Sequence, residues 1–537
     1  MITFLKQITQ GYRSHLSAIV FIQMAEVVFS LLFVWFSKVI IDTATGLRSG
    51  SSLSFYAVLL VLLMTLQIFL RIADVRLRNM TEVQLENNIR RQIFSRLIYA
   101  RWSELSTLHS GDVLTRIIHD TDDVVRTLVS ALPTVVSASL QFMGAMVLLY
   151  IFDPVLALIL GISMPLFVAF SKLYYVQMRR YTHQIKENES SITALMEESL
   201  LNQLIIRTFE RQAVNLEQLE DRQNELTYQV RKRTHISMFA NALVHLSFSG
   251  GYLTALLWSV YGLARNTVSF GTVMAFLQLV ARIQRPLFDL MRLLPTIIAA
   301  KASSERLIHL SLFEQENIGD NHFLSGSLSL HIERISFAYG QEKTPVFKDF
   351  TLHAKPGDMI AVMGETGAGK TTLLRLLLAL IQPDKGTISI TNEIETVSVC
   401  ENTRSNFVYV PQGNSLFSGT IRENLLIGDK NADENTLLKV LQTASASFVF
   451  SLPNGLDTVI GEGGNGLSEG QAQRIAIARS LLRPGKIILL DEATSALDLN
   501  TEKDFLQHLK TGIDDRIILF ITHHSEVAKW CDRVIKI

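Results

Sequence analysis

Residues 364–371, Gly-Glu-Thr-Gly-Ala-Gly-Lys-Thr, carry the first chemistry in this sequence. They fit G-x-x-x-x-G-K-[ST], and each residue type in that pattern has a reason. Glycines let backbone N–H groups turn inward around phosphate oxygens. Lys370 then neutralises β/γ-phosphate charge, and the Thr371 hydroxyl can ligate Mg²⁺. An apolar strand-like run, "MIAVM", precedes the motif, and an apolar helix-like run, "TTLLRLLLAL", follows it. That is the context a phosphate loop requires.

A second group of residues supplies the rest of a phosphate site. "KIILLDEATSALD" reads as a buried strand with Asp491 at its carboxyl end, where a doubly wound sheet presents ligand-binding groups. Asp491 is expected to hold the magnesium shell, and Glu492 to be the base or orienter for attacking water. "RIILFITHH" is a strand ending at His523, a candidate γ-phosphate contact, with a buried structural histidine as the plainer alternative. "FVYVPQ" ends at Gln412 and places an amide near the metal.

The stretch "NGLSEGQAQRIAIARS" opens a helix whose first turn holds an acid, Glu469. Ser468 is a good N-cap, and Ser468-Glu469-Gly470-Gln471 fits the capping box S-x-x-Q. An acid in the first turn stabilises an isolated helix by about 0.3–1 kcal/mol. A phosphate at the same helix end is a second anion. At about 5 Å and an effective dielectric of about 20, two unit charges repel by about 3 kcal/mol. The Glu469 side chain is therefore expected to point away from any bound phosphate or to meet a cation.

These groups need elements to hold them. The chain has 537 residues, too long for one ordinary domain, and its 50 basic residues balance 50 acidic ones. That balance predicts no nucleic-acid partner. The two cysteines, Cys400 and Cys531, lie in the polar second half, so a disulfide framework is not expected. The amphipathic N-terminus does not read as a signal peptide.

The first half holds six apolar stretches of spanning length, near 17–41, 54–73, 131–152, 154–176, 236–263 and 271–295. Asp153-Pro154 marks a turn between the third and fourth. Arginines crowd the segments after the second and fourth spans, including Arg76, Arg90, Arg96, Arg179, Arg207 and Arg231. Positive charge stays cytoplasmic, so both arms and both termini are expected inside. The arms repeat apolar residues at helical spacing and read as spans continuing well past the membrane. Glu26, His245 and Arg282 fall at similar depth, with Arg285 and Arg71 nearer the cytoplasm. These admit two readings: a structural Glu26–Arg282 pair, or a net-positive cavity for an amphipathic anion.

Residues 327–537 resemble the nucleotide-binding domain of ABC transporters. The matching motifs are the Walker A loop (364–371), Q-loop Gln412, signature (467–471), Walker B strand (487–492), D-loop (495–498) and switch His523. Glycine usually stands where this chain has Glu469. The arms, "HSGDVLTRIIHDTDDV", and the sixth span resemble the exporter branch, in which spans and ATPase share one polypeptide. The implied fold is an α-helical six-span membrane domain (1–309), a linker (310–326) and an α/β P-loop ATPase domain (327–537).

The resemblance implies an ATP-driven half-transporter exporting an amphipathic lipid, peptide or drug. It works as a homodimer, or as a heterodimer with another half-transporter, in the lipid bilayer of a bacterial inner membrane. A regulatory half that hydrolyses little ATP is the alternative. The cofactors are ATP and magnesium. ATP contacts are implied for Tyr339 on adenine, for Gly364, Glu365, Thr366, Gly367, Ala368, Gly369, Lys370, Thr371 and Thr372, and for Ser468, Gly470, Gln471 and Asp498. Glu492, His523 and Gln412 are the catalytic set, and Thr371, Gln412 and Asp491 the metal set. Arm tips near 104–112 and 204–212 are expected to couple to a groove around Gln412 and "SLFSGTIRENL".

Overall fold

The computed structural model describes residues 6, 8–47, 53–106, 108, 110–317, 319–340, 345–365, 367–413, 415–461, 464, 466–512 and 515–537. The chain divides into two compact units, Met1–Ser95 with Ser110–Leu312, and Arg96–His109 with Phe313–Ile537.

The first unit is helical. Its long helices are α1 (Arg13–Ala44), α2 (Leu53–Ile98), α3 (Leu132–Phe152), α4 (Pro154–Leu201), α5 (Gln212–Ala264) and α6 (Phe270–Ser311). The 46 residues of α2 rise about 1.5 Å each, or about 69 Å in all. A bilayer core is about 30 Å thick, so the helix runs well beyond it. Among the described residues, Arg13–Ala44, Leu53–Ile98, Gly111–Phe152 and Gln212–Ala264 are long and apolar enough to cross a membrane. The expected fourth span begins α4, and its side chains at 164–176 lie outside the described residues. The expected sixth span lies in α6, which carries Pro286 and Pro295 within the helix.

Asp153 makes the turn that its sequence suggested. Its Oδ1 accepts the backbone N–H groups of Val155 and Leu156, each at 3.0 Å, capping α4 with Pro154 in the first turn. Its Oδ2 accepts the Trp258 indole N–H at 2.8 Å. Close helix approach sets another joint: a Cβ on Gly271 would stand 2.6 Å from the Lys38 carbonyl oxygen. The return limb of the first arm departs from a plain helix. It alternates α-helix with π-turns at Arg116–Asp120 and Thr127–Ala131. The first π-turn buries Asp120, which accepts Nε–H of Arg306 at 2.8 Å.

The second unit is α/β. An antiparallel sheet of β1 (Ser329–Phe337), β2 (Phe347–Ala354), β4 (Lys385–Thr391) and β5 (Thr396–Ser398) runs in the order β2-β1-β4-β5. A second, parallel sheet holds β3 (Met359–Met363), β6 (Phe407–Val410), β7 (Ile487–Asp491), β8 (Ile517–Ile521) and β9 (Arg533–Lys536). Its order is β9-β3-β8-β7-β6. Every residue of β7 and β8 is buried, which explains why those strands are continuous apolar runs rather than alternating ones. Helices α7 (Lys370–Leu377), α8 (Glu434–Thr443), α9 (Glu469–Leu481) and α10 (Leu499–Gly512) complete the unit.

Cys531 packs beside this core and donates its S–H to the Val527 carbonyl at 3.5 Å. Burial, reinforced by Asp532, pushes its thiol up to about 12. Thiolate is the reactive form, so at pH 8 only about one molecule in ten thousand presents it. Iodoacetamide at pH 8 is expected to spare Cys531 in the folded protein and to label it after denaturation, as read by peptide mass spectrometry. Equal labelling rates in both states would contradict this packing.

Candidate functional site

The parallel sheet and α7 bring the phosphate loop together. Strand β3 ends at Met363, and α7 starts at Lys370. Gly367 and Gly369 take φ of 90° and 102°, which a side chain rarely adopts. A Cβ on Gly369 would also stand 2.5 Å from Val346. The Lys370 ammonium donates to the carbonyls of Gly364 at 2.7 Å and Glu365 at 3.0 Å. The lysine is thus folded over its own loop and must leave those carbonyls to meet a phosphate. Thr371 is exposed at the start of α7, Thr372 is buried, and Thr366 lies outside the described residues.

Four expected residues converge from strands β6, β7 and β8. Gln412 donates from Nε2 to Glu492 at 2.6 Å. His523 Nδ1 lies 3.1 Å from the other Glu492 oxygen. The Tyr409 hydroxyl reaches Asp491 at 3.4 Å. Burial, and then the neighbouring Glu492, raise the Asp491 carboxyl above its ordinary range. A cation would relieve both effects. The Thr371 hydroxyl, the Asp491 carboxylate and the Gln412 amide oxygen, the groups expected to hold magnesium, are all oxygen donors, the kind that cation takes.

Glu492 adopts φ of 45°, the left-handed region. In a residue with a side chain this costs about 1–3 kcal/mol and marks functional sites. Two contacts hold it. The Glu492 N–H donates to Ile521 at 2.9 Å, and its carbonyl accepts the Gln473 side-chain amide at 3.2 Å. The same Gln473 carbonyl oxygen accepts the Ala496 N–H at 3.2 Å. Gln473 is buried within α9, so it ties that helix to the Glu492 and D-loop backbones at once. Sequence reasoning missed it. The available signal was a glutamine set between Ala472 and the apolar run "IAIA" that the helix buries. Arg479, also on α9 and buried, donates to the Ser415 carbonyl at 2.9 Å and so fixes the chain after Gln412.

The start of α9 answers the question of Glu469. Ser468 is the N-cap, and the capping box is complete. The Ser468 N–H donates to Gln471 at 3.0 Å, and the Gln471 N–H donates to Ser468 Oγ at 3.3 Å. Glu469 is exposed and, among the described residues, forms no ion pair. Gly470 is the position that must stay small, since a Cβ there would stand 2.6 Å from the Ala496 carbonyl oxygen. Asp498 has a local duty as well, accepting N–H of Asn500 and Thr501 at the start of α10.

Tyr339 is exposed beyond β1, edge-on to Phe337, with ring centroids 4.9 Å apart. Its hydroxyl accepts from Arg375 at 3.0 Å and lies 3.3 Å from the Thr372 hydroxyl. Arg375 in turn lies over the Trp102 ring, 4.5 Å from its centroid. The short helix Trp102–Leu105, the first arm tip, belongs to the same unit. Trp102, just ahead of the expected tip at 104–112, therefore packs beside Tyr339 and Arg375, where its ring meets an arginine face.

Residues 16–287 match the family described as the ABC transporter transmembrane region, and residues 347–495 match the family described as ABC transporter. The chain belongs to the ABC transporters. It carries ATP hydrolysis and transport in one polypeptide. A Rickettsia felis protein with an export ATP-binding/permease name is 28% identical over 491 residues, 90% of this chain and 84% of its own length. An ATP-dependent lipid A-core flippase of Saccharophagus degradans is 27% identical over 458 residues, 83% of this chain and 76% of its own. The fold is also that of a bacterial Atm1-family ABC exporter solved with ATP bound. The TM-score is 0.78 at 22% identity, covering 98% of this chain and 93% of that one. This transporter is accordingly a multi-pass membrane protein of exporter type.

Glu469 bears on its rate. Replacing Glu469 with glycine removes an anion from the expected phosphate-binding end of α9. The Glu469→Gly variant is expected to bind ATP more tightly or turn over faster, by a few-fold, with a larger effect at low salt. Steady-state ATPase at two ionic strengths checks this. A rate equal to or below the parent's in intact protein would count against it.

Proposed function

We propose that the chain is an ATP-driven half-transporter that exports an amphipathic substrate, such as a lipid, peptide or drug, from the cytoplasm or inner leaflet. The observation that carries this reading is a polar cavity of about 730 Å³ within the helical unit, on a chain that also bears a phosphate loop and an acid at a strand end. Residues 1–309 serve as the membrane domain, 310–326 as the linker and 327–537 as the ATPase domain. The membrane is a bacterial inner membrane, with the ATPase domain and both termini in the cytoplasm.

The working unit is a dimer, either of this chain or with another half-transporter. Leu200, Leu201, Leu204 and Phe209 at the second arm tip are 72%, 79%, 79% and 72% exposed, which suits docking on a second chain. Ser468 and the Gly470 amide cap the γ-phosphate of ATP held by the partner's phosphate loop. Thr371, Asp491 and Gln412 hold magnesium, which neutralises phosphate charge and aligns the reacting oxygens when bound. Lys370 leaves the Gly364 and Glu365 carbonyls to bind the β/γ-phosphates. Glu492 takes the proton of the attacking water, and His523 contacts the γ-phosphate. The proximity of Glu492 and His523, 3.1 Å apart, supports hydrolysis by this chain over a purely regulatory role.

Reconstitution of the purified chain in lipid, with ATPase measured against lipids, peptides and amphipathic drugs, tests the reading. Stimulation by one class and ATP-dependent movement of it are expected. A chain that hydrolyses ATP only when mixed with a second half-transporter would favour the regulatory reading.

A further inference from the structure

Helices α1, α2, α3 and α6 line the cavity of about 730 Å³, a volume in the range of small-molecule sites. Its charges divide into a satisfied pair and an unsatisfied set. Asp74 is buried, lies 3.4 Å from Arg78 and accepts the Gln23 amide at 3.2 Å. The remaining cations are Arg71, Arg282 and Arg285, against the carboxylates of Glu26 and Asp289. Among the described residues, none of these five forms an ion pair within 4.0 Å. The Glu26–Arg282 pair that the sequence allowed is therefore not formed. Three cations against two carboxylates leave one positive charge in excess. One Glu26 oxygen is also buried with no hydrogen-bond partner.

Such groups are costly inside a membrane unless a ligand or water meets them. Arginine presents a fork that fits phosphate oxygens two at a time. The orphaned Glu26 oxygen asks for an N–H or O–H donor. Helices α1 and α2, which help line the cavity, are long and apolar enough to cross a membrane, and side chains on their far faces, such as Phe21 and Phe69, are 74% and 68% exposed, as lipid-facing groups are. A ligand that reaches the cavity from the bilayer carries apolar chains beside its polar head, and a small soluble anion carries none.

Resting on the exporter reading, we propose that this cavity receives the headgroup of a phospholipid-like amphiphile. Its phosphate meets Arg282, Arg285 and Arg71, and an N–H or O–H donor on the same headgroup meets Glu26. The headgroup must carry both features. Ethanolamine and glycerol headgroups do, whereas choline offers a phosphate with no donor.

The test uses the full chain in detergent, without nucleotide, and displacement of a fluorescent phospholipid by dioctanoyl lipids. Phosphatidylethanolamine and phosphatidylglycerol are expected to compete about fivefold or more better than phosphatidylcholine, and inorganic phosphate not at all. Glu26→Ala should bring phosphatidylethanolamine down to the phosphatidylcholine value. Arg282→Gln with Arg285→Gln should weaken all three lipids by about tenfold. If that double variant does not fold, Arg71→Gln and the headgroup series on the parent chain decide. Equal competition by phosphatidylcholine would overturn the proposal. So would displacement by inorganic phosphate, or by an acidic peptide better than by any phospholipid. Loss of ATP-dependent transport with the lipid preference intact would overturn the exporter reading alone.

Discussion

Glu492→Gln is expected to lower ATP turnover by about 10²–10⁴-fold, the usual range for loss of a general base. ATP binding should survive, and the protein should accumulate as a closed, nucleotide-filled dimer. The geometry makes this a clean substitution. Glu492 receives Gln412 at 2.6 Å on one oxygen and faces His523 at 3.1 Å on the other. Glutamine has the same shape. Its amide N–H₂ can face an unprotonated His523 nitrogen while its carbonyl still accepts from Gln412. The left-handed backbone at Glu492 is held by main-chain contacts to Ile521 and Gln473, which the change leaves alone. Single-turnover ATPase and size-exclusion chromatography with ATP measure the two effects. Turnover within tenfold of the parent would remove Glu492 from the base role.

Lys370→Ala is expected to act one step earlier, on binding. The ammonium sits at the mouth of the phosphate loop, on the Gly364 and Glu365 carbonyls. Hydrogen bonds to charged groups contribute about 1.5–3 kcal/mol each, so losing the lysine should raise the ATP dissociation constant by roughly 10- to 150-fold. Only part of that is recovered from the free protein, because the two carbonyls lose their donor in the variant. Titration with a fluorescent ATP analogue reads the change. An unchanged dissociation constant would mean that the loop binds ATP without this side chain. The two variants also differ in kind. Glu492→Gln should form the closed dimer with ATP, and Lys370→Ala should not.

The signature helix links both effects. Gln473 and Arg479 reach from α9 to the backbones beside Glu492, Ala496 and Gln412. A movement of α9 is therefore felt at the backbone of Glu492, at the D-loop and in the chain just after Gln412. Gly470 sits against the Ala496 carbonyl, so the D-loop follows the same helix. This connection lies within one chain, and it gives physical content to coupling between the two halves of a shared site.

Several features of this transporter were legible from the sequence because they are decided within a few residues. The phosphate loop needs glycines where φ is positive, and Gly367 and Gly369 supply them. The capping box at Ser468 and Gln471 closes over four residues, and Asp153 caps α4 within three. Helical periodicity announced the long arms, since α2, α4 and α5 each repeat one local pattern. Apolar runs announced β7 and β8, because strands covered on both faces have no polar side to show. Tertiary structure alone decided what meets across long stretches of chain. Gln412 and Glu492 lie 80 residues apart, and no local pattern encodes their hydrogen bond. The same holds for Asp74 and Asp289 in the cavity, for the missing Glu26–Arg282 pair and for Trp102 on Arg375. Short-range hydrogen bonding and burial choose the elements. The packing of those elements chooses which charges find partners, and the ones left without partners are where this chain can bind something else.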